Sequence, residues 1–300
     1  MPEISINRLA ILGVGLIGGS LARALRRAGV CTNIIGFGRN EEHLQKAVQL
    51  GVIDEYALDA ARTVSDADVI VLATPLATTQ PLLSRIRDSI KENAIVTDVG
   101  SAKGSIVAIA REVFNAKQLR NFIPGHPVAG TEKSGVEASF AELFEDHLLI
   151  LTPLSESDKH SVDFVARMWE ATGAKVVTMD VSHHDEVLAA TSHLPHMLAY
   201  ALVNCLAGMQ ERDEIFKYAA GGFADFTRIA SSSPQMWHDI CFSNRVCLLQ
   251  MLDHFGAHLS QIRNAIEHDD SHGLLEMFTS AKKARDEFIK SHGKMANTVE

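Results

Sequence analysis

The chain has 300 residues, of which 46% are hydrophobic and 22% charged, and its formal net charge is −9 at pH 7. This composition is typical of a folded globular protein, and the length accommodates one large domain or two ordinary ones. The acidic balance, without a long basic run, argues against nucleic acid as a partner, and no apolar run approaches the roughly 20 residues that a bilayer span requires.

The first 180 residues alternate short apolar runs with helical patterns. The pattern predicts strands over residues 8–13, 33–37, 68–73, 94–98, 122–123, 147–151 and 175–179. Helices are expected over residues 16–28, from an N-cap at Asn40 to Leu50, up to about Phe114, and up to about Gly173. Alternation of this kind predicts a mostly parallel, doubly wound sheet, so the fold class is α/β.

From residue 181 onward the sequence predicts helices and no strand. Two series of apolar residues recur at spacings of three and four, namely Leu198, Leu202, Leu206 and Met209, then Leu248, Leu252, Phe255, Leu259, Ile262 and Ile266. We therefore predict one domain over residues 1–180 and an all-helical domain over residues 181–300. Long amphipathic helices often need a second copy to cover them, which predicts a homodimer. The alternative is that these helices pack on the first domain.

A glycine-rich turn follows the first predicted strand and opens the first predicted helix. Its pattern, Gly13-x-Gly15-x-x-Gly18, is a weak signal alone but a credible dinucleotide-binding fingerprint in this context. Gly13 permits a tight turn, Gly15 lets a pyrophosphate approach the backbone, and Gly18 lets the helix pack close to the sheet. The first turn of the helix, with Leu16 and Ile17, offers free N–H groups to the diphosphate. Residues 1–180 are therefore predicted to form a Rossmann-type domain.

The end of the second predicted strand leaves the choice between NAD and NADP open. Sites that prefer NAD usually carry Asp or Glu here, where this chain has Gly38 followed by Arg39. The missing carboxylate removes repulsion against a 2′-phosphate, and Arg39 is able to pair with one. The alternative is that Arg39 is a solvated surface residue and that other groups hold NAD.

Polar loops follow three of the predicted strands, at Thr74-Pro75, at residues 98–103 and at Gly125-His126-Pro127-Val128-Ala129-Gly130. Because open parallel sheets bind ligands outside the carboxyl ends of their strands, His126 is expected to point toward the nicotinamide. A neutral imidazole there takes a hydroxyl proton as hydride leaves, which predicts oxidation of an alcohol. Ser101 is expected to orient this imidazole or the carboxamide. The alternatives are a structural loop histidine and a helix cap, and Lys103 is expected on a solvated face.

The helical half carries a second polar cluster. His184 and Asp185 open a predicted helix, and His196 follows His184 by twelve residues. Pro195 is expected to kink this helix, because it lacks the N–H that a helix interior needs. A bend at that place brings the two histidines into one site.

Arg228 lies in an otherwise apolar stretch and needs a carboxylate partner. That partner is either a substrate or an internal one, Asp225 or Asp239. The histidines of the cluster lack the spacing of a known metal site, so no metal is predicted.

Taken together and in chain order, five motifs resemble those of the prephenate/arogenate dehydrogenase family of tyrosine biosynthesis. They are Gly13-x-Gly15-x-x-Gly18, Asp98-x-x-Ser101-x-Lys103, Gly125-His126-Pro127-x-Ala129-Gly130, Ser192-His193-Leu194-Pro195-His196 and Gly222-Phe223-x-Asp225-x-Thr227-Arg228-Ile229-Ala230. The resemblance spans nearly the whole chain. It implies a nucleotide-binding domain followed by a helical dimerisation domain. It also implies oxidative decarboxylation, in which hydride leaves ring C4 for the nicotinamide and carbon dioxide leaves C1.

The resemblance also implies roles for individual residues. His126 matches the family's histidine that acts on the ring hydroxyl, and Ser101 matches the serine beside it and the nicotinamide. Arg228 matches the arginine that binds a substrate carboxylate. The remaining matches are residues that line or shape the substrate pocket, namely His184, Asp185, His196 and Trp237. The chain departs from NAD-using members at Gly38, which leaves the cofactor undecided between NAD and NADP.

Prephenate is the expected substrate, with arogenate as a possible second one and tyrosine as a feedback inhibitor that shares most substrate contacts. No chorismate mutase segment is expected on either side of the two domains. Two other functions stay open. One is a β-hydroxyacid dehydrogenase, which would use a lysine of the helical half, where Lys217 is the candidate. The other is a nucleotide-binding sensor without turnover.

The cysteines and the N-terminus bear on location. Cys31, Cys205, Cys241 and Cys247 form no CxxC pair, which predicts reduced thiols. The N-terminal segment lacks the pattern of a secretory signal. We therefore expect a cytoplasmic protein.

Overall fold

The helices and strands that the sequence predicts are found close to their expected positions, and further short elements that were not predicted lie between them. The structure, a computed structural model, describes residues 4–131 and 133–292. In this part of the chain the strands are β1 (Ile6–Leu12), β2 (Cys31–Phe37), β3 (Glu55–Ala57), β4 (Val69–Leu72), β5 (Ile95–Asp98), β6 (Phe122–Ile123), β7 (Gly125–Pro127), β8 (Leu148–Leu151) and β9 (Lys175–Thr178). The helices are α1 (Leu16–Arg27), α2 (Glu41–Gln49), α3 (Ala60–Val64), α4 (Thr79–Ile86), α5 (Gly104–Val113), α6 (Ala116–Arg120), α7 (Lys159–Glu170), α8 (Val181–Leu188), α9 (Leu194–Ala207), α10 (Arg212–Lys217), α11 (Gly221–Thr227), α12 (Pro234–Ser243), α13 (Arg245–Glu267) and α14 (Ser271–His292).

Six parallel strands form the main sheet in the order β3-β2-β1-β4-β5-β6. β4 and β5 are buried along their whole length, as parallel strands covered by helices on both faces must be. Alternate residues of β1 enter two separate cores, Leu9 and Ile11 on one face and Ala10 and Leu12 on the other. The chain returns from β3 to place β4 beside β1, so the loops after β1 and β4 diverge and leave a crevice for a ligand. The predicted α/β fold class is confirmed.

The last three strands form a separate sheet, in the order β7-β8-β9, which corrects the prediction of one continuous sheet. His126, expected in a loop, lies on β7 opposite Ile150 of the antiparallel β8. The physical reason is Pro124, which stands between β6 and β7 and has no N–H to donate to a sheet ladder. β7 then passes the end of β5, where the Gly125 N–H donates to the Asp98 carboxylate at 3.2 Å.

Helices α8 and α9 are joined by a π-helical turn at Ala189–His193. A π turn inserts one extra residue into a helix and is found mostly at functional sites. Pro195 lies in the first turn of α9, where its missing N–H removes one helix hydrogen bond. The helix thus accommodates the proline by widening just before it, and the extra residue rotates the side chains that follow relative to those of α8.

From residue 181 to residue 292 the structure describes helices and turns but no strand, as predicted. A first compact unit ends at Leu248 and a second begins at Leu249, within α13. On the second unit, taken by itself, large apolar side chains of α13 and α14 are exposed, among them Phe255, Leu259, Ile266, Leu275 and Phe278. The domain boundary at residue 180 stays a prediction. In neither described range is there a helix with both the length and the hydropathy to cross a bilayer.

Candidate active site

In the turn between β1 and α1, glycine occupies the positions at which a larger residue would not fit. Gly13 has a φ of +107°, and a Cβ there would lie 2.5 Å from the Ala73 carbonyl oxygen. A Cβ on Gly18 would lie 2.2 Å from the Gly13 carbonyl oxygen, so α1 packs directly on the turn. A Cβ on Gly15 would meet nothing within 4 Å, and no side chain caps the N-terminus of α1. The turn therefore presents uncovered backbone and unclaimed helix N–H groups, the arrangement that binds a diphosphate.

The other residues predicted to bind a dinucleotide lie along the same edge of the sheet. Leu16 and Ile17 form the first turn of α1, and Thr74 and Pro75 follow β4. Arg39 is exposed directly after β2. The two strands that flank the crevice, β1 and β4, thus both end in candidate cofactor residues. The uncovered turn between them fits the diphosphate of a nicotinamide dinucleotide.

Three of the predicted site residues form one hydrogen-bonded chain. The Nδ1 atom of His126 lies 2.9 Å from Nε2 of His184, and Nδ1 of His184 lies 2.8 Å from Oδ1 of Asp185. All three side chains are buried. The Asp185 carboxylate also accepts from the backbone N–H groups of Lys103 and Gly104, each at 2.8 Å. These hydrogen bonds therefore join β7 and α8 to the start of α5.

The Asp185 carboxylate determines which nitrogen of each imidazole carries the hydrogen. An ionised carboxylate only accepts, so Nδ1 of His184 donates and its Nε2 keeps a lone pair. Nδ1 of His126 then donates to that lone pair, which leaves Nε2 of His126 without a hydrogen. In this tautomer a neutral His126 is a proton acceptor at Nε2.

Burial and hydrogen bonding keep both ends of this chain in the required charge state. Burial lowers the pKa of His126 well below the ordinary 6.5, and His184 and Lys103 act in the same direction. For Asp185, burial raises the pKa, but hydrogen bonds from His184, Lys103 and Gly104 outweigh burial, so the pKa lies below its ordinary value. At neutral pH the chain thus runs from an ionised carboxylate to a neutral base.

Lys103 is fully buried, which corrects the prediction of a solvated face. Its ammonium donates to the Asp98 carboxylate and to the Gly125 carbonyl, the latter at 2.6 Å. Burial lowers the pKa of Lys103, whereas the charge of Asp98 favours the protonated form. Because Asp98 and Lys103 together hold the backbone of Gly125, they fix the position of His126, the next residue on β7.

Ser101 lies half-buried in the bend between β5 and α5. Its backbone faces His193. Burial lowers the pKa of this histidine to about 4, whereas the nearby backbone of Ser101 raises that pKa. His184 and His196 both lower the pKa of His193 further, so His193 lies between the two predicted parts of the site. His193 lies within the motif Ser192-His193-Leu194-Pro195-His196, from which no role was predicted for it.

The predicted substrate-binding residues of the helical half lie near one another. The rings of His196 and Trp237 are stacked, with centroids 3.6 Å apart and planes 22° apart. Nδ1 of His196 donates to the Ser192 carbonyl at 2.9 Å, so Nε2 carries a lone pair in the neutral ring. Burial lowers the pKa of His196, and the positive charge of Arg228 lowers it further, which places Arg228 beside the stack.

Asn244 is a site residue that was not predicted from the sequence. It is buried, and its side-chain nitrogen donates to the Asp185 carbonyl at 2.7 Å and lies 3.2 Å from Nδ1 of His193. These partners are 59 and 51 residues earlier in the chain, so no local motif signals the contact. In the part of the chain that the structure describes, no group of three or more His, Cys, Asp or Glu side chains is arranged to hold a metal ion.

Two family models together cover most of the chain. Residues 21–178 match the nucleotide-binding domain of prephenate dehydrogenase, and residues 180–280 match its dimerization domain. The change from one model to the other falls at the start of α8.

Individual relatives agree with these models. The chain is 38% identical to the cyclohexadienyl dehydrogenase of Zymomonas mobilis over 283 residues, which covers 93% of this chain and 95% of that protein. It is also 38% identical to the prephenate dehydrogenase of Bacillus subtilis over 282 residues, covering 93% of this chain and 76% of that protein. Among solved structures, a prephenate dehydrogenase from A. aeolicus in complex with hydroxyphenyl propionate and NAD+ has a TM-score of 0.89 at 38% identity, covering 95% of this chain and 99% of that one.

Proposed function

Because the chain belongs to the prephenate dehydrogenase family, we propose that its site converts prephenate to 4-hydroxyphenylpyruvate by oxidative decarboxylation. The enzyme is a nicotinamide-dependent dehydrogenase. The observation that carries the proposal is the buried chain from Asp185 through His184 to His126, which ends in a neutral base. That base lies on β7, which passes the end of β5 in the dinucleotide-binding sheet.

Residues of the protein bind and release the proton and stabilise the charge that forms in this reaction. Nε2 of His126 accepts the proton of the ring hydroxyl while hydride leaves C4 and carbon dioxide leaves C1. A nicotinamide dinucleotide whose diphosphate is held at the glycine turn would supply the hydride acceptor. The ionised Asp185, acting through His184, stabilises the imidazolium that forms on His126. The Ser101 hydroxyl is proposed to orient the ring hydroxyl beside the base. Loss of carbon dioxide leaves an aromatic phenolate, and the imidazolium of His126 returns its proton to the ring oxygen to give the 4-hydroxyphenyl product. No net proton is released, so the enzyme mainly positions the substrate and holds one proton during the reaction.

The His196–Trp237 stack and Arg228 are proposed to hold the side chain of the substrate. A guanidinium is the natural partner of a carboxylate. The lone pair on Nε2 of His196 suits the ammonium group of arogenate, whereas prephenate has a keto group there. We therefore propose that the enzyme accepts arogenate as a second substrate beside prephenate.

One assay tests the reaction and both specificities. Prephenate and arogenate are each offered with NAD and with NADP, and reduced nicotinamide is followed by absorbance. Turnover with prephenate supports the proposed function. Silence in all four combinations, with NAD binding intact, contradicts it and favours a nucleotide-binding sensor. The same assay with added tyrosine tests the proposed feedback inhibition, which unaltered turnover at saturating tyrosine would exclude.

Replacing Arg228 by Ala is expected to raise KM for prephenate by about 10- to 100-fold with kcat changed little, because the lost contact binds ground state and transition state alike. Steady-state kinetics with prephenate measure both constants. Arg212→Ala, which removes an exposed arginine of α10, is the control for a general loss of positive charge. An unchanged KM for Arg228→Ala would remove this residue from the carboxylate site.

The cofactor preference depends on the end of β2. A Cβ on Gly38 would meet the Leu44 side chain at 3.4 Å, an ordinary contact, so the backbone there accepts a Cβ. We propose that the absence of a carboxylate at this place lets the enzyme accept NADP, with Arg39 pairing to the 2′-phosphate. Gly38→Asp is then expected to raise KM for NADP at least about tenfold relative to that for NAD. A wild-type enzyme that turns over with NAD alone contradicts the proposal. Arg39→Ala removes only the attraction between Arg39 and the 2′-phosphate, whereas Gly38→Asp adds repulsion of that phosphate, so the two variants separate these effects.

We also propose that the enzyme is a homodimer assembled through α13 and α14. The support is the exposed apolar side chains of both helices and the match to a dimerization domain. The molar mass from light scattering tests this, and a monomer at micromolar concentration contradicts it. A cytoplasmic location is proposed on the strength of four free cysteines.

A further inference from the structure

His193 is a buried histidine that the proposed mechanism does not use. It is the last residue of the π-helical turn and is 0% exposed. The side-chain nitrogen of Asn244 lies 3.2 Å from its Nδ1 and also donates to the Asp185 carbonyl at 2.7 Å. Asn244, at the end of α12, thus ties α8 and the π-helical turn together.

These contacts determine where His193 carries its hydrogen. A backbone carbonyl only accepts, so the carbonyl of Asp185 requires the amide nitrogen of Asn244, not its oxygen, to face both partners. Nδ1 of His193 must then accept, which places the hydrogen on Nε2. Nε2 is buried and has no hydrogen-bond partner among the residues that the structure describes. His193 therefore presents a donor N–H that still lacks an acceptor of good geometry.

The Ser101 segment is held on the other side of Asp185. The Asp185 carboxylate accepts from the N–H groups of Lys103 and Gly104, which follow Ser101 closely in the chain. The Ser101 backbone also raises the pKa of His193, as an acceptor near a ring N–H does. Hydrogen bonds of catalytic sites often become shorter and better aligned when substrate binds.

We propose that His193 is a positioning residue for this reaction: its Nε2–H anchors the backbone of Ser101 and so aims the Ser101 hydroxyl at the substrate. His126 and Ser101, the two groups at the ring hydroxyl, are then each held by a buried histidine. Both of these histidines depend on Asp185, His184 through its carboxylate and His193 through its carbonyl. The inference rests on the proposed function of Ser101 and assigns no proton transfer to His193.

Two substitutions separate the two nitrogens of His193. In His193→Asn the side-chain oxygen replaces Nδ1 as the acceptor for Asn244, but the Nε2–H donor is lost. In His193→Gln the side-chain nitrogen replaces the Nε2–H donor toward Ser101, but the Nδ1 acceptor is lost. We expect kcat for prephenate to fall about tenfold or more in His193→Asn and to stay within about threefold of wild type in His193→Gln. Thermal unfolding and NAD affinity are measured alongside.

A double-mutant cycle tests whether His193 acts through Ser101. We expect Ser101→Ala to lower kcat, and His193→Asn to lower it little further when Ser101 is already replaced, because the orienting role has no target left. Effects that multiply in the double variant overturn the proposal.

The single variants also have outcomes that overturn it. If kcat of His193→Gln is as low as that of His193→Asn, or if His193→Gln is the less stable and less active of the two, the role of the histidine is to accept the hydrogen bond from Asn244. If neither variant changes kcat, His193 has no positioning role. Wild-type turnover is measured first, so that absence of the reaction itself contradicts the proposed function and not this inference alone.

Discussion

His126→Asn is expected to lower kcat for prephenate by about 10²- to 10⁴-fold, the range for removal of a general base. The asparagine keeps a polar atom near Nδ1 that still bonds to His184, whereas Nε2, the proposed base, is gone. NAD affinity should be unchanged, because the substitution leaves the glycine turn intact. Formation of reduced nicotinamide gives kcat, and a binding titration gives the affinity for NAD.

The control for this substitution is His183→Asn, which changes an exposed histidine of α8 and should leave kcat near wild type. A loss of less than about tenfold in His126→Asn would show that another group removes the proton.

The same base has a characteristic pH dependence. A general base must be unprotonated, so kcat/KM falls as the pH drops through its pKa. Because burial lowers the pKa of His126 well below 6.5, we expect kcat/KM to stay level through pH 6.5 and to fall only at more acidic pH. This fall on the acid side should be absent from the residual rate of His126→Asn. A midpoint at or above pH 6.5 would mean that the base is solvated or is a different group.

Asp185→Ala is expected to reduce both the reaction rate and the free energy of unfolding. It leaves three donors without an acceptor: Nδ1 of His184 and the backbone N–H of Lys103, which are buried, and the backbone N–H of Gly104, which is half-buried. The expected loss is at least about 3 kcal/mol of stability, since each of the three orphaned donors costs about 1–3 kcal/mol. His184 is then free to adopt the other tautomer, so kcat should fall about 10²-fold or more. Chemical denaturation and steady-state kinetics measure the two effects.

Two control variants sharpen the interpretation of Asp185→Ala. Glu186→Ala removes the exposed neighbouring carboxylate and should change neither stability nor rate. Asp185→Asn keeps one acceptor oxygen for His184 but turns an N–H₂ group against Gly104, so it should be intermediate in stability. Normal stability together with near-normal kcat in Asp185→Ala would contradict the chain of hydrogen bonds to His126.

The cofactor turn is the part of the site that was most predictable from the sequence. Its geometry depends on which residues lack a Cβ. The close approach of Gly13 to Ala73 comes from the packing of a distant strand, whereas the positive φ of Gly13 and the close approach of Gly18 to the Gly13 carbonyl involve six consecutive residues. The N-cap at Asn40 was predictable for the same reason: its side chain accepts from His43, three residues on. β3 was not predicted, because its three residues, Glu55 to Ala57, form no apolar run.

Of the second sheet, β8 and β9 were predicted as strands, whereas β7 was expected to be a loop and the separation from the main sheet was not predicted. Apolar patterning shows that a segment is a buried strand and does not show which strand it pairs with. The pairing of β7 with β8 joins residues some 20 or more positions apart, such as His126 and Ile150. Only the packing of the whole chain, with Pro124 interrupting the ladder, decides that pairing.

The sequence by itself determined the fold class, the dinucleotide turn and, through the resemblance to a family, the reaction, since each depends on residues near one another in the chain or on motifs in fixed order. The tertiary structure alone decided that Lys103 is buried, that His126 bonds to His184 across 58 positions, and that Asn244 holds His193. The protonation of each histidine depends on those distant partners. The charge state of a side chain is determined by the groups that surround it in space, and the spacing of residues along the chain does not predict which groups those are.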